Sequence, residues 1–159
     1  MEPPNIETEF LFEVRIPQGP HHLIGDGPLG HRRITYPRPG ARVEGPHLNG
    51  TVLDGGGDPF LMRNDGVGEV DARITIRSVD GDVIMMSYKG VLRYSQEFRE
   101  AEKRGELWPQ DEDYFYVSVL FETASESYRW LNGTLGVARG FIPEDLPRPC
   151  IGYQVFAVV

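Results

Sequence analysis

Two strand-like segments of the sequence carry side chains that could move a proton. Asp71 and Arg73 alternate with apolar residues in the first segment, and Glu122 lies near the end of the second. A carboxylate among aromatic rings loses hydration and suits general acid–base catalysis, and an arginine can stabilise a developing oxyanion. This combination is typical of proton transfer next to a carbonyl group, as in isomerases, lyases and cyclases. We predict Glu122, Asp71 and Arg73 as catalytic residues.

The strand of Glu122 also carries two tyrosines. Tyr114 and Tyr116 share its face, because side chains two residues apart in a strand point the same way. Together with Asn132 they predict a pocket for a small aromatic or hydrophobic ligand. Alternation alone does not decide which face of a strand is buried. The alternative, to which we give equal weight, is that the side chains lie in solvent: Asp71, Arg73 and Glu122.

Metal and cofactor chemistry find little support in the sequence. The histidines His21, His22, His31 and His47 lie in loops without the spacing of metal ligands. The glycine pattern at residues 25–30 has neither a strand before it nor a helix after it, so it does not match a dinucleotide site. Cys150 is the only cysteine, which excludes an internal disulfide and fits a reducing compartment. We expect no metal and no cofactor.

A hairpin over residues 70–93 is the element that must position Asp71 and Arg73. Its first arm alternates strictly between apolar and polar residues, and Asp80-Gly81 predicts a two-residue type I′ turn. The returning arm is apolar on both faces, as expected for a strand in a barrel wall. We expect this turn to tolerate less substitution than Gly55-Gly56.

The remaining segments predict an all-β fold. Further strands are expected at 8–16, 33–36, 41–44, 49–53, 59–63, 112–123, within 128–139 and at 151–158, with a long loop at 18–30. A short surface helix is expected at 96–104, with Ser95 as its N-cap. We predict a single antiparallel, calycin-like β-barrel of about eight to ten strands. The barrel domain covers residues 8–159 and follows a frayed terminus at 1–7.

Composition limits the partners. The 159 residues carry a net charge of −8, which opposes a nucleic-acid partner, and no apolar run is long enough for a membrane helix. Without a signal sequence, a cytoplasmic location is expected. The apolar residues on both faces of 83–91 and at the C-terminus exceed what one small barrel can bury, so we also expect a homodimer or higher homo-oligomer.

Several short motifs follow one another over most of the chain: Gly30-His-Arg-Arg-Ile, Val43-Glu-Gly-Pro-His-Leu-Asn-Gly, Gly56-Gly-Asp, Arg63-Asn-Asp-Gly, Asp71-Ala-Arg, Phe121-Glu-Thr and Tyr128-Arg-Trp-Leu-Asn. In this order they resemble the family known as domain of unknown function 3237, small bacterial and fungal β-barrel proteins. One departure is Pro59, which stands where an aromatic residue is expected after the glycine turn. The resemblance implies a barrel fold, and its motifs add Arg33, Asp58 and Trp130 to the candidate ligand-binding residues.

Three functions are compatible with these observations. The first is a cofactor-independent enzyme that transfers a proton on a small aromatic or hydrophobic carbonyl compound. The second is a non-catalytic carrier or sensor with the same pocket, and the third is a structural interaction module. A buried carboxylate favours the enzyme, a pocket without a perturbed acid or base favours the carrier, and a filled interior favours the structural module.

Overall fold

Eight antiparallel strands close into a barrel in the computed structural model, which describes residues 1–19, 21–93, 95–97, 100 and 114–159. The described strands are β1 (Thr8–Pro17), β2 (His22–Gly27), β3 (Gly30–Thr35), β4 (Arg42–Glu44), β5 (Gly50–Val52), β6 (Asp58–Arg63), β7 (Val67–Ser78), β8 (Val83–Arg93), β9 (Tyr114–Thr123), β10 (Gly136–Phe141) and β11 (Cys150–Val158). The ring runs β7–β5–β4–β1–β11–β10–β9–β8 and closes where β8 pairs with β7. The predicted all-β barrel is confirmed.

Strands β6, β3 and β2 extend this ring at one edge. The first half of β7 pairs with β6 at Leu61↔Glu69 and Met62↔Gly68, whereas its second half pairs with β5. Strand β3 continues from β6, and β2 continues from β3. The wall therefore branches at β7, and its two branches separate near the middle of that strand.

The more apolar face of each long strand points into the barrel. Strand β7 buries Val70, Ala72, Ile74 and Ile76, and β9 buries its alternate residues in the same way: Phe115, Val117, Val119 and Phe121. Burying one such large apolar side chain stabilises a fold by about 1.5–3 kcal/mol. The less apolar face of each of these strands is therefore left outside, and it still carries some apolar side chains such as Leu120.

The β7–β8 hairpin is confirmed over its whole length, from Val67↔Arg93 to Arg77↔Val83. Its loop differs from the predicted two-residue turn. The Ser78 N–H donates to the Asp82 carbonyl at 2.8 Å, and the Gly81 N–H donates to the Ser78 carbonyl at 2.9 Å. The loop thus has three residues, and Gly81 at φ 92° supplies the left-handed position that such a loop needs.

The glycine corner before β6 is packed more tightly than the hairpin loop. A Cβ on Gly56, at φ 75°, would lie 2.2 Å from the Arg73 carbonyl oxygen, whereas one on Gly81 would meet nothing within 4 Å. Gly57 forms an antiparallel bridge with Arg73. The structure therefore reverses our expectation, and Gly56 is the less tolerant position.

Three other segments differ from the sequence prediction or lie outside the structure. The predicted loop at 18–30 contains strand β2, and a 3₁₀ turn at Arg129–Gly133 precedes β10. Of the predicted helix, Gln96, Glu97 and Glu100 are helical, and its other residues lie outside the described residues. Within the described part of the chain, no helix is long and apolar enough to cross a membrane.

Candidate functional site

The three predicted catalytic residues lie on the outside of the barrel. Asp71, Arg73 and Glu122 are exposed, whereas both neighbours of Asp71 and of Arg73 in β7, and Phe121 before Glu122 in β9, are buried. Asp71 pairs with Lys89 of β8, at 3.5 Å between its carboxylate and the lysine Nζ. The prediction that these three side chains face one cavity is wrong, because the apolar faces of β7 and β9 fill the interior.

Four of the predicted ligand-binding residues also lie away from the interior. Tyr114 and Tyr116 lie on the outer face of β9 with their ring centroids 4.8 Å apart. The Asn132 side chain accepts the Thr123 N–H and donates to the Thr123 carbonyl, so it holds the 3₁₀ turn against the end of β9. Trp130, on the same turn, is exposed. The predicted lining by Tyr114, Tyr116, Asn132 and Trp130 is therefore wrong.

Arg33 and Asp58 are the two predicted residues that the fold brings together. Thr35 of β3 lies opposite Asp58 of β6, and Arg33 lies opposite Phe60, so all four side chains share one face of the branch. The guanidinium of Arg33 lies over the Phe60 ring, 5.2 Å from its centroid. This face continues the barrel interior, because Phe60 belongs to the buried core.

Two backbone features direct Asp58 into the wall. The bridge between Gly57 and Arg73 holds the chain against β7 just before Asp58. After this bridge the backbone hydrogen bonding between β6 and β7 is interrupted. The Asp71 N–H donates to the Asp58 carboxylate at 3.2 Å instead of to a backbone carbonyl of β6. On the other side of β6, the Arg32 guanidinium donates to the Pro59 carbonyl at 2.6 Å.

The surroundings of Asp58 favour its protonated form. Burial raises the pKa of its carboxyl from 3.8 to about 6. The hydrogen bond from the Asp71 N–H and the positive charges of Arg33 and Arg32 lower this pKa, but the cost of desolvation exceeds them. A carboxyl with this pKa exchanges its proton near neutral pH, as a general acid or base requires.

A buried tyrosine lies close enough to Asp58 to sense its charge. Burial raises the pKa of the Tyr88 hydroxyl, and the negative charge of Asp58 raises it further, so the phenol stays protonated. Its ring contacts the Tyr153 ring, with centroids 4.9 Å apart, and Tyr153 in turn contacts Phe115 at 5.4 Å. The aromatic packing fixes Tyr88 as a potential hydrogen-bond donor inside the barrel.

A small cavity connects these groups. Its volume is about 20 Å³, and its wall includes Thr35, Asp58, Tyr88 and Tyr153, together with the aliphatic side chains of Ile16, Ile74 and Ile151. This is space for about one water molecule. Most of the buried side chains among the described residues belong to one hydrophobic cluster, so this cavity admits only a small group of a larger molecule beside Asp58.

A histidine stands at the same end of this face. His21 Nδ1 lies 3.1 Å from the Thr35 hydroxyl, and Thr35 is the cross-strand neighbour of Asp58. Partial burial lowers the pKa of His21, and the positive charge of Arg33 lowers it further. His21 thus lies next to the site, and its surroundings favour the neutral imidazole.

A larger groove of about 660 Å³ lies outside the barrel, beside β1 and β4. Its charged side chains include an ion-pair network, in which Arg15 pairs with Glu13 at 2.6 Å and also with Asp145. Among the described residues, no group of three or more His, Cys, Asp or Glu side chains could hold a metal ion.

Sequence reasoning missed Tyr88, Tyr153, Thr35 and His21 as site residues. Tyr88 shares a face with Ile84 and Met86 in an apolar strand, so its pattern predicts only a core position. Asp58 stands out only through its place after the glycine corner. The feature that unites the site is the branching of the wall at β7, and it is not visible in any one segment.

Comparisons of the sequence with known proteins find related chains. A model of the DUF3237 family, described as protein of unknown function, matches residues 6–158. An UPF0311 protein of Clostridium acetobutylicum is 36% identical over 123 residues, which cover 77% of this chain and 78% of that protein. A hydroalkoxylation enzyme, phnH, of Penicillium herquei is 30% identical over 131 residues, covering 82% of this chain and 70% of that protein.

Solved structures superpose over almost the entire chain. A Rhodopseudomonas palustris protein of unknown function has a TM-score of 0.87 at 27% identity, covering 99% of this chain and all of its own. A β-barrel-like protein from Acinetobacter baumannii has a TM-score of 0.81 at 28% identity, with 99% of each chain covered. An enzyme from Penicillium herquei shares the fold, with a TM-score of 0.72 at 24% identity, covering all of this chain and 98% of its own.

Proposed function

This chain belongs to the DUF3237 family, and from that premise we propose that it is a cofactor-independent enzyme that transfers a proton on a small aromatic or hydrophobic compound, in an isomerase, lyase or cyclase type of reaction. The observation that carries the proposal is the Asp58 carboxyl, which is partly buried at the wall of an interior cavity and close to Tyr88 and Arg33. Asp58 takes the role that the sequence assigned to Glu122.

The position of Asp58 provides the acid–base chemistry. Near neutral pH its carboxyl is present in both protonation states, so it can give a proton to one atom of a substrate and take one from another. Tyr88 stays protonated and can donate a hydrogen bond to a substrate oxygen that gains negative charge. Arg33 adds a fixed positive charge beside the same carboxyl.

The similarity to a hydroalkoxylation enzyme supports this reaction type. In general, hydroalkoxylation adds the O–H of an alcohol or phenol across a C=C bond. One carbon gains the oxygen, the other gains a proton, and nothing is oxidised or reduced. Asp58 would protonate the alkene carbon while the phenol oxygen bonds to the other carbon, and its carboxylate would then accept the phenol proton. The acid is thereby regenerated.

The size of the cavity limits how a substrate binds. A space of about 20 Å³ admits the reacting group beside Asp58 but not an aromatic ring. The ring would therefore lie at the mouth of the cavity, where Tyr36 and Pro37 form the wall. A flat apolar ring fits this mouth better than a charged or strongly hydrated molecule.

The proposal is tested with 2-allylphenols, 2-prenylphenols and enolisable aryl ketones incubated with the protein in D₂O. Proton NMR then detects cyclised product or deuterium on carbon. We expect turnover by the parent and a loss of about 100-fold or more in Asp58→Asn, because removal of a general acid typically costs 10²–10⁴ in rate.

Asp54→Asn is the matched control, because Asp54 is an exposed aspartate four residues away. It should keep the parent rate. Equal turnover by Asp58→Asn and the parent would exclude Asp58 as the proton-transfer group. Binding of a panel compound without turnover by the parent would favour the carrier function instead.

A further inference from the structure

The groove beside β1 and β4 lies outside the barrel and shares no lining residue with the Asp58 cavity. Its volume of about 660 Å³ is in the range of small-molecule sites. Its wall combines charged side chains of both signs with the apolar side chains of Phe10 and Leu146. A ligand bound here would therefore be independent of the chemistry proposed for Asp58.

A β-bulge in β1 turns Phe10 toward the groove. The pairing of β1 with β11 shifts register between Phe10 and Phe12, and both Leu11 and Phe12 are buried. Two successive side chains thus point into the barrel, which places Phe10 on the same outer face as Glu13, three residues away. Phe10 is 37% exposed, so its ring offers apolar surface to a ligand in the groove.

The loop between β10 and β11 forms another part of the wall. Arg15 of β1 pairs with Asp145 of this loop. The Cys150 thiol, at the start of β11, donates to the Leu146 carbonyl at 3.8 Å. These two contacts hold Leu146 beside β1, so the groove is formed before any ligand binds.

The charged residues of β1 and β4 lie opposite like charges. Glu13 is the cross-strand neighbour of Glu44, and Arg15 is that of Arg42. Like charges directly opposite each other destabilise a pair of strands. Arg15 and Glu13 pair with each other at 2.6 Å, and Arg15 also pairs with Asp145. Within the described part of the chain, no ion pair forms at Arg42 or Glu44, and both side chains are exposed.

We propose that this groove binds a small zwitterion with an apolar side chain, either an amino acid or a short peptide. Arg42 and Glu44 are two positions apart in β4, so they share a face about 7 Å apart along the strand. The Arg42 guanidinium binds the ligand carboxylate, and the Glu44 carboxylate binds the ligand ammonium, both through charge-assisted hydrogen bonds. The apolar side chain of the ligand packs against Phe10 and Leu146.

Titration of the full chain with L-phenylalanine tests the proposal. Nitrogen-15 NMR of the backbone amides detects binding even in the millimolar range. We expect saturable shifts of the signals of β1, β4 and the β10–β11 loop. The dipeptide L-leucyl-L-phenylalanine carries the same two charges on a longer body. Tighter binding of the dipeptide would identify a peptide as the ligand, and tighter binding of phenylalanine would identify an amino acid.

Two analogues with a single charge assign the roles of Arg42 and Glu44. N-acetyl-L-phenylalanine lacks the ammonium and L-phenylalaninamide lacks the carboxylate, so each should bind about three- to fivefold more weakly than phenylalanine, as expected for one exposed ion pair. Glu44→Gln should weaken phenylalanine binding by a similar factor but should not weaken binding of the N-acetyl compound. Arg42→Met should weaken phenylalanine binding but not that of the amide.

Arg73→Met and Glu122→Gln are the matched controls, because they change exposed positions of β7 and β9 outside the groove. Both should keep the parent affinity. In urea, Arg42→Met and Glu44→Gln should be no less stable than the parent, since each removes a like-charge contact. Three results would each overturn the proposal: no saturable shift with either zwitterion up to about 50 mM, shifts confined to residues outside the groove, or equal weakening of all ligands by one variant.

Discussion

Replacing Asp58 with asparagine should make the protein more stable at alkaline pH. The carboxyl has a pKa of about 6 in the folded protein and 3.8 in the unfolded chain. Between these values the folded state binds more protons, so stability falls as pH rises from about 4 to about 6 and is constant above about 7. The shift of about two pKa units corresponds to about 3 kcal/mol of lost stability above pH 7.

Asparagine avoids this cost and keeps the local structure. Its side-chain oxygen can still accept the Asp71 N–H, which now bonds the carboxylate at 3.2 Å. It carries no charge to be desolvated among the aromatic rings. Asp58→Asn should therefore equal the parent at pH 4 and exceed it by about 3 kcal/mol at pH 8.

Urea unfolding at pH 4, 5, 6, 7 and 8 measures this difference directly. Subtracting the parent from the variant at each pH cancels every other titrating group that the two proteins share. Asp54→Asn, in the exposed loop before the glycine corner, should differ from the parent by less than about 0.5 kcal/mol at every pH. A difference between Asp58→Asn and the parent that stays constant from pH 4 to pH 8 would refute the reasoning.

Three further predictions concern the same wall of the barrel. Gly56→Ala should lower the free energy of unfolding by at least about 2 kcal/mol more than Gly55→Ala, because only the Gly56 Cβ would collide with the Arg73 carbonyl; equal losses in urea would contradict the close approach. Tyr88→Phe should keep the fold by circular dichroism but reduce turnover of an active panel compound about tenfold or more, and unchanged turnover would remove the hydroxyl from the mechanism. If protonated Asp58 is the acid, kcat should fall as pH rises through about 6, and a rate that rises over that range would assign Asp58 as a base instead.

Strand periodicity was sufficient to predict the barrel. The alternation in β1, β7 and β9 reflects one buried and one exposed face, and the long β7–β8 hairpin follows from two such strands joined at Asp80-Gly81. Strand β2 was missed because its sequence, HLIGDG, contains two glycines and shows no alternation. Its exposure explains this, since a strand at the edge of a branch has little apolar surface to bury.

The site could be predicted only in part, because alternation does not show which face is inside. On β9 both faces carry aromatic residues, and the face with Phe115 and Phe121 turned inward because it buries more apolar surface than the face with Glu122. Asp58 and Arg33 were found through family motifs alone. Asp58 lies in the wall because the backbone hydrogen bonding between β6 and β7 is interrupted beside it. This interruption depends on how segments distant in sequence pair, so a local sequence pattern does not predict it.

The titration of the Asp58 side chain tests the proposed site most directly, because it requires no substrate. Carbon-13 NMR of the protein labelled at aspartate carboxyls, with the Asp58 signal identified by its absence in Asp58→Asn, gives the pKa of this group between pH 3 and 8. A midpoint of about 6 is the result that the buried position beside Tyr88 predicts. A midpoint near 3.8, the ordinary value for an aspartate, would contradict the assignment of Asp58 as the proton-transfer group.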